Sequence, residues 1–493
     1  MSFDFRLLTF DSHLHKSILR IAVPSILANI TIPLVGLVDM VIAGHISSAW
    51  AIGGIAVGTM LFDMLYGCFG FLRVSTAGLT AQAYGAGQRI ECGNLLLRSS
   101  GIAVAGALLI WLLQSVYLQA VLYVMPCSPE VAEFARAYFN IRVWAAPATL
   151  MIMTCKGWFI GMQDGTRAMV TDLVVNGVNM LASYLLAVHT PLGAVGVAWG
   201  TLIAQWTGLI VALAMIATRY ADHFRLSTFD FRLSTFDSSR FFRLNYDLFI
   251  RSLCFIVVYV GWTAISSAYG DVELAASALM MKLFMLFSFF IDGFAYAGEA
   301  LVGKTIGEQQ SAISSQQSAV SSQPTPLPGS PRPAEVGWFC EGSRRGVLVR
   351  TLFAWGTGVG LFFSLLYALF PDALFAALTS DQQVITTMHK YIGWLIAMPI
   401  VSMLAFMWDG IFAGATRGKD IRNAMLWAAA AFAVSYFLLS TLNTQHSTLP
   451  SFQGGAGGRL SMHSLYIAYF AHLAARVIYL TAKYFRQPIL YLS

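Results

Sequence analysis

The sequence ILRIAVPSILANITIPLVGLVDMVIA, residues 18–43, is long and apolar enough to cross a bilayer as an α-helix, which takes about 20 residues. Asp39 is the only acidic residue in this stretch, and it follows Pro24 and Pro33. A carboxylate in hydrocarbon is costly and usually faces a cavity, where it binds ions or protons. Prolines free backbone groups and bend such a helix. The stretch therefore predicts a membrane protein with an ion-coupling site at Asp39.

The composition of the whole chain also indicates membrane insertion. Hydrophobic residues make up 57% of the sequence and charged residues 11%, whereas soluble domains carry about 25% charge. Barrel strands would alternate over about ten residues, but the apolar runs here are longer. We predict an all-α integral membrane protein with twelve transmembrane helices. The predicted spans are residues 18–43, 51–72, 100–124, 138–161, 168–188, 192–218, 247–268, 274–302, 346–370, 389–414, 421–441 and 463–483.

Lysine and arginine concentrate in alternate connections between these spans. Arg89 and Arg98 lie between the second and third spans, whereas residues 45–50 and 269–273 contain neither residue type. By the positive-inside rule, both termini are cytoplasmic, and we expect a multi-pass protein of the inner (plasma) membrane. The net charge of +6 predicts no nucleic-acid partner, because the basic residues lie in these connections.

The two parts of the chain repeat each other. The segment from Gly78 to Gln88 follows the second span, and a similar segment from Gly298 to Gln309 follows the eighth. The match joins helices that are six apart and have the same orientation. It predicts two six-helix lobes related by a parallel internal repeat, as in many secondary transporters.

The repeat and the polar stretches between spans predict the organisation of the chain. A low-complexity, Ser-, Gln- and Pro-rich insert interrupts the second lobe, and we expect its residues 311–333 to be disordered. The linker between the lobes contains two consecutive copies of FRLSTFD. The predicted parts are an N-terminal segment at 1–17, the N-lobe at 18–218, the linker at 219–246, the C-lobe at 247–484 with its insert at 310–342, and a tail at 485–493.

Two local patterns suggest a ligand and are rejected. Residues 298–305, GEALVGKT, fit the P-loop pattern, but they end an apolar helix and follow no strand, so we expect no nucleotide site. His13 and His15 lack a third ligand, so we expect no metal site. We predict no cofactor other than H⁺ or Na⁺ as coupling ion.

Further acids lie in the predicted spans, namely Asp63, Asp292, Glu299 and Asp409. Each either takes part in transport or pairs with a buried basic residue, for which the candidates are Arg73, Arg142 and Lys156. Both interpretations stay open for the three acids of the C-lobe, which are secondary site candidates. An ion pair is favoured for Asp63. Function is favoured for Asp39, which is far from any basic residue in sequence.

Taken together and in order, these motifs resemble the multidrug and toxic compound extrusion (MATE) family, and within it the DNA-damage-inducible-protein-F-like branch. The resemblance covers both lobes and leaves out the inserts. The stretches that support it include Pro24–Asp39, Thr80–Gly85, Gly157–Gln163, Asn176–Asn179, Asp292–Glu299 and Asp409–Arg417.

The resemblance implies a transporter that exports organic, mostly cationic compounds in exchange for H⁺ or Na⁺ by alternating access. It implies that Asp39 binds the coupling ion and that the first helix bends at Pro24. The polar residues that it places around the acid are Tyr138, Asn176, Asn179 and Thr201. We expect a monomer whose partners are small organic cations and the lipid bilayer, and we expect no enzymatic activity.

One departure from the family pattern bears on the coupling ion. Family members often carry a second acid four residues after the asparagine at Asn179, and here that residue is Ser183. A single carboxylate supplies less charge for Na⁺, so proton coupling is favoured. Four alternatives stay open: a Na⁺-coupled exporter, a lipid-linked saccharide flippase, a membrane-embedded enzyme and a membrane protein that transports nothing.

Overall fold

The computed structural model consists of α-helices and short turns throughout the residues that it describes. These are residues 12–46, 49–124, 128–224, 238–321, 334–446 and 462–486. The helices are α1 (Ser12–Ile46), α2 (Ala49–Gly67), α3 (Phe71–Gly85), α4 (Arg89–Val124), α5 (Pro129–Arg142), α6 (Ala146–Gly161), α7 (Gly165–His189), α8 (Val195–Arg219), α9 (Ser238–Ser267), α10 (Asp271–Ser321), α11 (Ala334–Leu369), α12 (Pro371–Leu378), α13 (Gln382–Gly414), α14 (Gly418–His446) and α15 (His463–Arg486).

Twelve helical stretches in this part of the chain are long and apolar enough to cross a membrane, which confirms the predicted number. Two of the spans consist of two helices each, α2 with α3 and α5 with α6. The second span was predicted to end at residue 72, but it continues to Gly85. Hydropathy misses α3 because its polar residues, such as Ser75 and Thr76, are buried between other helices.

The fourth span also extends beyond its predicted range, 138–161, because it begins at Pro129. The Ser128 side chain caps this helix by accepting a hydrogen bond from the Val131 N–H group at 3.4 Å. Proline suits the first position of a helix, where no N–H donor is needed. The first turns are exposed and carry Glu130, so their hydropathy is too low to predict membrane insertion.

The predicted low-complexity insert, 310–342, is partly helical. Helix α10 continues to Ser321 and α11 begins at Ala334, whereas residues 322–333 lie outside the described ranges. The prediction of disorder, made for residues 311–333, is therefore wrong for residues 311–321. Extending an existing membrane helix requires no new nucleation, and alanine and glutamine have good helix propensity.

The other predicted segments outside the membrane are only partly described. Helix α1 already begins at Ser12, inside the predicted N-terminal segment 1–17, and α9 begins at Ser238, inside the predicted linker. The FRLSTFD copies lie outside the described residues except for Phe224. In the predicted tail, α15 ends at Arg486 and the remaining residues are likewise outside the description.

Equivalent pairs of helices pack together in the N-terminal half (12–224) and the C-terminal half (238–486). Helices α3 and α6 pack as α10 and α13 do, α4 and α6 as α11 and α13 do, and α7 and α8 as α14 and α15 do. A parallel repeat requires this arrangement. The two halves meet mainly where α1 and α3 pack against α10.

The halves approach each other closely at one end of the bundle, where α1 begins and α3 ends. We call this end the near face and the opposite end the far face. Gly85 of α3 lies against the Lys304 carbonyl of α10, and Gly307 lies against the Gln82 carbonyl, so neither position has room for a Cβ atom. Gly303 packs on Ala81 in the same way. Gly303 belongs to the P-loop-like stretch 298–305, which lies inside α10. Close helix packing therefore explains why a glycine occurs at this position.

Side-chain hydrogen bonds also join the two halves at the near face. The pairs are Gln82 Nε2 to the Gly414 carbonyl at 2.9 Å, Gln163 Nε2 to the Ala300 carbonyl at 2.8 Å and Ser75 Oγ to Asn245 Oδ1 at 2.7 Å. A buried hydrogen bond is costly to leave unmade. The near face is therefore closed in this conformation.

Candidate ion-coupling site

Asp39 lies in the half of α1 toward the far face and is only 9% exposed. Its Oδ1 atom has no hydrogen-bond partner among the described residues. The groups that interact with the carboxylate are the Ser183 hydroxyl of α7 and the Arg142 guanidinium of α5. A buried carboxylate with an unused oxygen can accept a proton or another cation.

A chain of buried polar groups on α7 and α8 leads away from Asp39. Ser183 Oγ donates to Asn179 Oδ1 at 3.2 Å, and Asn179 Nδ2 donates to Thr201 Oγ1 at 3.0 Å. Thr201 in turn donates to the Val197 carbonyl at 3.1 Å. The structure therefore joins Asn179 and Thr201 to Ser183, and Ser183 lies within interaction range of Asp39.

Tyr138 joins the site through Arg142. The Arg142 Nη1 atom donates to the Tyr138 hydroxyl at 3.0 Å, and the guanidinium lies 4.8 Å from the centre of the Phe62 ring. The same guanidinium interacts with the carboxylates of both Asp39 and Asp63. Arg142 is thus a counter-ion within electrostatic range of both acids, without an ion-pair contact to either in the described part of the chain.

Asn176 and Pro24 do not contact Asp39 directly. Asn176 Nδ2 donates to Thr31 Oγ1, which lies two turns before the acid on α1, roughly 12 Å along the helix axis. Pro24 lies inside α1, which continues as one helix from Ser12 to Ile46. Bending at Pro24 stays a prediction.

The C-terminal acids Glu299 and Asp409 are ion-paired. Arg73 Nη1 lies 3.1 Å from Glu299 Oε2, and Arg251 Nη2 lies 2.7 Å from Asp409 Oδ2. Arg476 also binds Asp409 through both of its carboxylate oxygens. In this conformation, Glu299 and Asp409 therefore agree with the ion-pair interpretation of the sequence.

Asp292 completes a charged group around a small cavity of about 70 Å³. It interacts electrostatically with Arg73 and Arg251 across this cavity, which Tyr296 and Glu299 also line. Three arginines and three acids meet in this group, so their formal charges balance. By contrast, Asp39 and Asp63 in the N-terminal half share one arginine.

The sequence indicated two important residues of the site only weakly. Ser183 was notable as a departure from the family pattern, and Arg142 was one of several possible ion-pair partners. Arg142 follows Tyr138 by four residues, so both side chains lie on one face of α5. That spacing could have placed Arg142 beside a residue that was already a candidate.

Comparison with known proteins identifies the family. The MatE family model matches residues 24–185. DNA damage-inducible protein F of Escherichia coli is 30% identical over 486 residues, which cover 96% of this chain and 92% of that protein. The chain belongs to the MATE family. Members of this family are transporters, so the interpretations as an enzyme or as a protein without transport activity are set aside.

Two further comparisons agree with this assignment. The probable multidrug resistance protein NorM of Caulobacter vibrioides is 28% identical over 317 residues, which cover 60% of this MATE protein and 63% of the relative. A crystal structure of MATE in complex with MaL6 superimposes with a TM-score of 0.76 at 15% identity, covering 99% of this chain and 98% of that one. The superposition shows that the fold is that of MATE transporters.

Proposed function

We propose that the protein exports organic cations in exchange for protons, and that Asp39 binds the proton. The observation that carries this proposal is a buried carboxylate on α1 whose Oδ1 atom has no partner among the described residues. The Caulobacter relative is named as a multidrug resistance protein, which supports a drug-like substrate. A carboxylate that alternates between charged and neutral forms can exchange a proton for a cation.

The surroundings of Asp39 favour H⁺ over Na⁺. Asp39 supplies one carboxylate, and the group beside it on α7 is the Ser183 hydroxyl, where a second carboxylate would add negative charge. A proton forms a covalent bond with the carboxylate and needs no further ligands. Na⁺ prefers several oxygen ligands and would find one carboxylate and one hydroxyl group here.

The closed near face suggests which state of the transport cycle the structure represents. In the predicted orientation, the near face is cytoplasmic, so in this conformation the site is closed to the cytoplasm. Asp39 lies toward the far face, where an external proton would reach it first. Protonation removes the attraction between Asp39 and Arg142. Protonation of Asp39 thereby changes which packing of α1 has the lower free energy. A ligand shifts the equilibrium between two conformations only when its affinity for them differs.

Drug export driven by a proton gradient tests this proposal. Proteoliposomes without Na⁺ are loaded with ethidium and given an imposed pH gradient. We expect the wild-type protein to export ethidium and Asp39→Asn to lose nearly all of this export. Asp372→Asn is the matched control, because its side chain is 90% exposed at the far face. Export that needs Na⁺ would establish sodium coupling instead, and wild-type export by Asp39→Asn would overturn the role of Asp39.

A further inference from the structure

We propose that Asp63 binds the positive charge of the transported organic cation, as a site separate from the proton on Asp39. This inference rests on the proposed export of organic cations. Asp63 lies inside the span formed by α2 and α3 and is nevertheless exposed. It has no hydrogen bond or ion pair with any residue in the described part of the chain. An ionisable residue of this kind inside a span marks a substrate or ion pathway.

The neighbours of Asp63 show that it faces the gap between the halves. It interacts with Arg142 of α5, Tyr117 of α4 and Tyr259 of α9. The first two belong to the N-terminal half, and Tyr259 belongs to the C-terminal half. Gly67 follows Asp63 by four residues on the same face of α2, and a Cβ atom there would lie 3.5 Å from the Ile256 side chain of α9. This face of α2 therefore points toward the C-terminal half, so the exposed surface of Asp63 faces the gap between the halves and not the lipid.

The polar neighbours of Asp63 are already engaged elsewhere. The Tyr117 hydroxyl donates to the Leu61 carbonyl at 2.6 Å, and Arg142 donates to the Tyr138 hydroxyl at 3.0 Å. Neither of these groups hydrogen-bonds to Asp63, so the carboxylate oxygens of Asp63 remain available to a ligand.

Aromatic side chains on α9 define the chemical class of that ligand. Tyr259 is 44% exposed, and Phe255, which is 50% exposed, lies one turn earlier on the same face of the helix. Aromatic faces attract cations and cover apolar groups. A carboxylate opposite such a face suits a monovalent organic cation with an apolar body.

The charge of the group explains how a proton and an organic cation would compete. Arg142 is the shared counter-ion of Asp39 and Asp63, so the three groups together carry one negative charge when both acids are ionised. One proton on Asp39 or one organic cation at Asp63 restores neutrality. Binding both would leave an excess positive charge in a low-dielectric region, which is unfavourable. The group therefore binds either the proton or the organic cation, and the protein exchanges one for the other.

Equilibrium binding of tetraphenylphosphonium tests the proposal on the purified full-length protein without Na⁺. We expect Asp63→Asn to bind it at least about tenfold more weakly than the wild type, because the charge partner is lost. Asp63→Glu, which keeps the charge, and the control Asp372→Asn should bind as the wild type does. Binding of neutral triphenylphosphine oxide should not differ between Asp63→Asn and the wild type.

The outcomes separate this inference from the proposed function. If the wild type exports tetraphenylphosphonium under a pH gradient and Asp63→Asn binds it with wild-type affinity, Asp63 is not the binding carboxylate, whereas the export function stands. If the wild type neither binds nor exports the cation, both proposals fail. Should Asp63→Asn not fold, Tyr259→Leu replaces it. A severalfold weaker affinity than in Tyr259→Phe supports the site, and equal affinities of these two variants contradict it.

Discussion

Arg73 of the N-terminal half and Glu299 of the C-terminal half form an ion pair, with 3.1 Å between Nη1 and Oε2. Glu299 is 1% exposed, and its Oε1 atom has no partner among the described residues. Asp409, by contrast, pairs with Arg251 and Arg476, which belong to its own half. Opening the near face would separate Arg73 from Glu299 and leave both ion pairs of Asp409 intact.

This difference predicts distinct effects for two neutralising substitutions. We expect Glu299→Gln to favour opening of the near face, because the attraction to Arg73 across the halves is lost. Hydrogen–deuterium exchange of residues 78–85 should become faster by about tenfold or more, since a broken buried pair costs several kcal/mol. Asp409→Asn should lower the melting temperature without selectively exposing this segment. Equal exchange of residues 78–85 in Glu299→Gln and the wild type would show that the pair does not hold the near face closed.

The close packing of α10 on α3 predicts a steric effect at Gly307. A Cβ atom there would meet the Gln82 carbonyl. We expect Gly307→Ala to destabilise the closed state by roughly 1–3 kcal/mol. Gly358→Ala on α11 is the matched control, because nothing lies within 4 Å of a Cβ atom at that position. Hydrogen–deuterium exchange of residues 78–85 in the two variants measures the change. Identical exchange in both alanine variants would argue against a tight contact at Gly307.

The choice of coupling ion is predicted to depend on Ser183. Ser183→Asp adds a second carboxylate beside Asp39, where it can supply further oxygen ligands and negative charge. We expect this variant to show ethidium export stimulated by Na⁺, whereas Ser183→Asn, which is similar in size and uncharged, should not. Transport under a Na⁺ gradient at equal pH on both sides measures the effect. Export by Ser183→Asp that stays independent of Na⁺ would mean that the carboxylate count does not select the ion.

The sequence predicted the spans well because apolar length is a local property. Its errors fell where polar residues form buried helices, as in α3, or where a charged helix start continues a span, as at Pro129. In the site, Asp39 was evident from its apolar surroundings alone. Asn179 and Thr201 came from the family resemblance, because their contact with each other depends on how α7 packs against α8.

Other features of the site could not be derived from local sequence. The sharing of Arg142 by two acids depends on how α1, α2 and α5 meet, and no spacing rule encodes that. The same holds for Arg73, whose partner Glu299 lies in the other half of the chain. The sequence treated Asp63 as a paired acid, whereas it has no ion pair in the described part of the structure.

Proton release on substrate binding tests the role of Asp39 most directly. Tetraphenylphosphonium is added to purified protein in weakly buffered detergent solution without Na⁺, and a pH-sensitive dye reports the protons released. We expect the wild type to release up to one proton per molecule and Asp39→Asn to release none, with Asp372→Asn as the control. Wild-type proton release from Asp39→Asn would contradict the assignment of Asp39 as the coupling site.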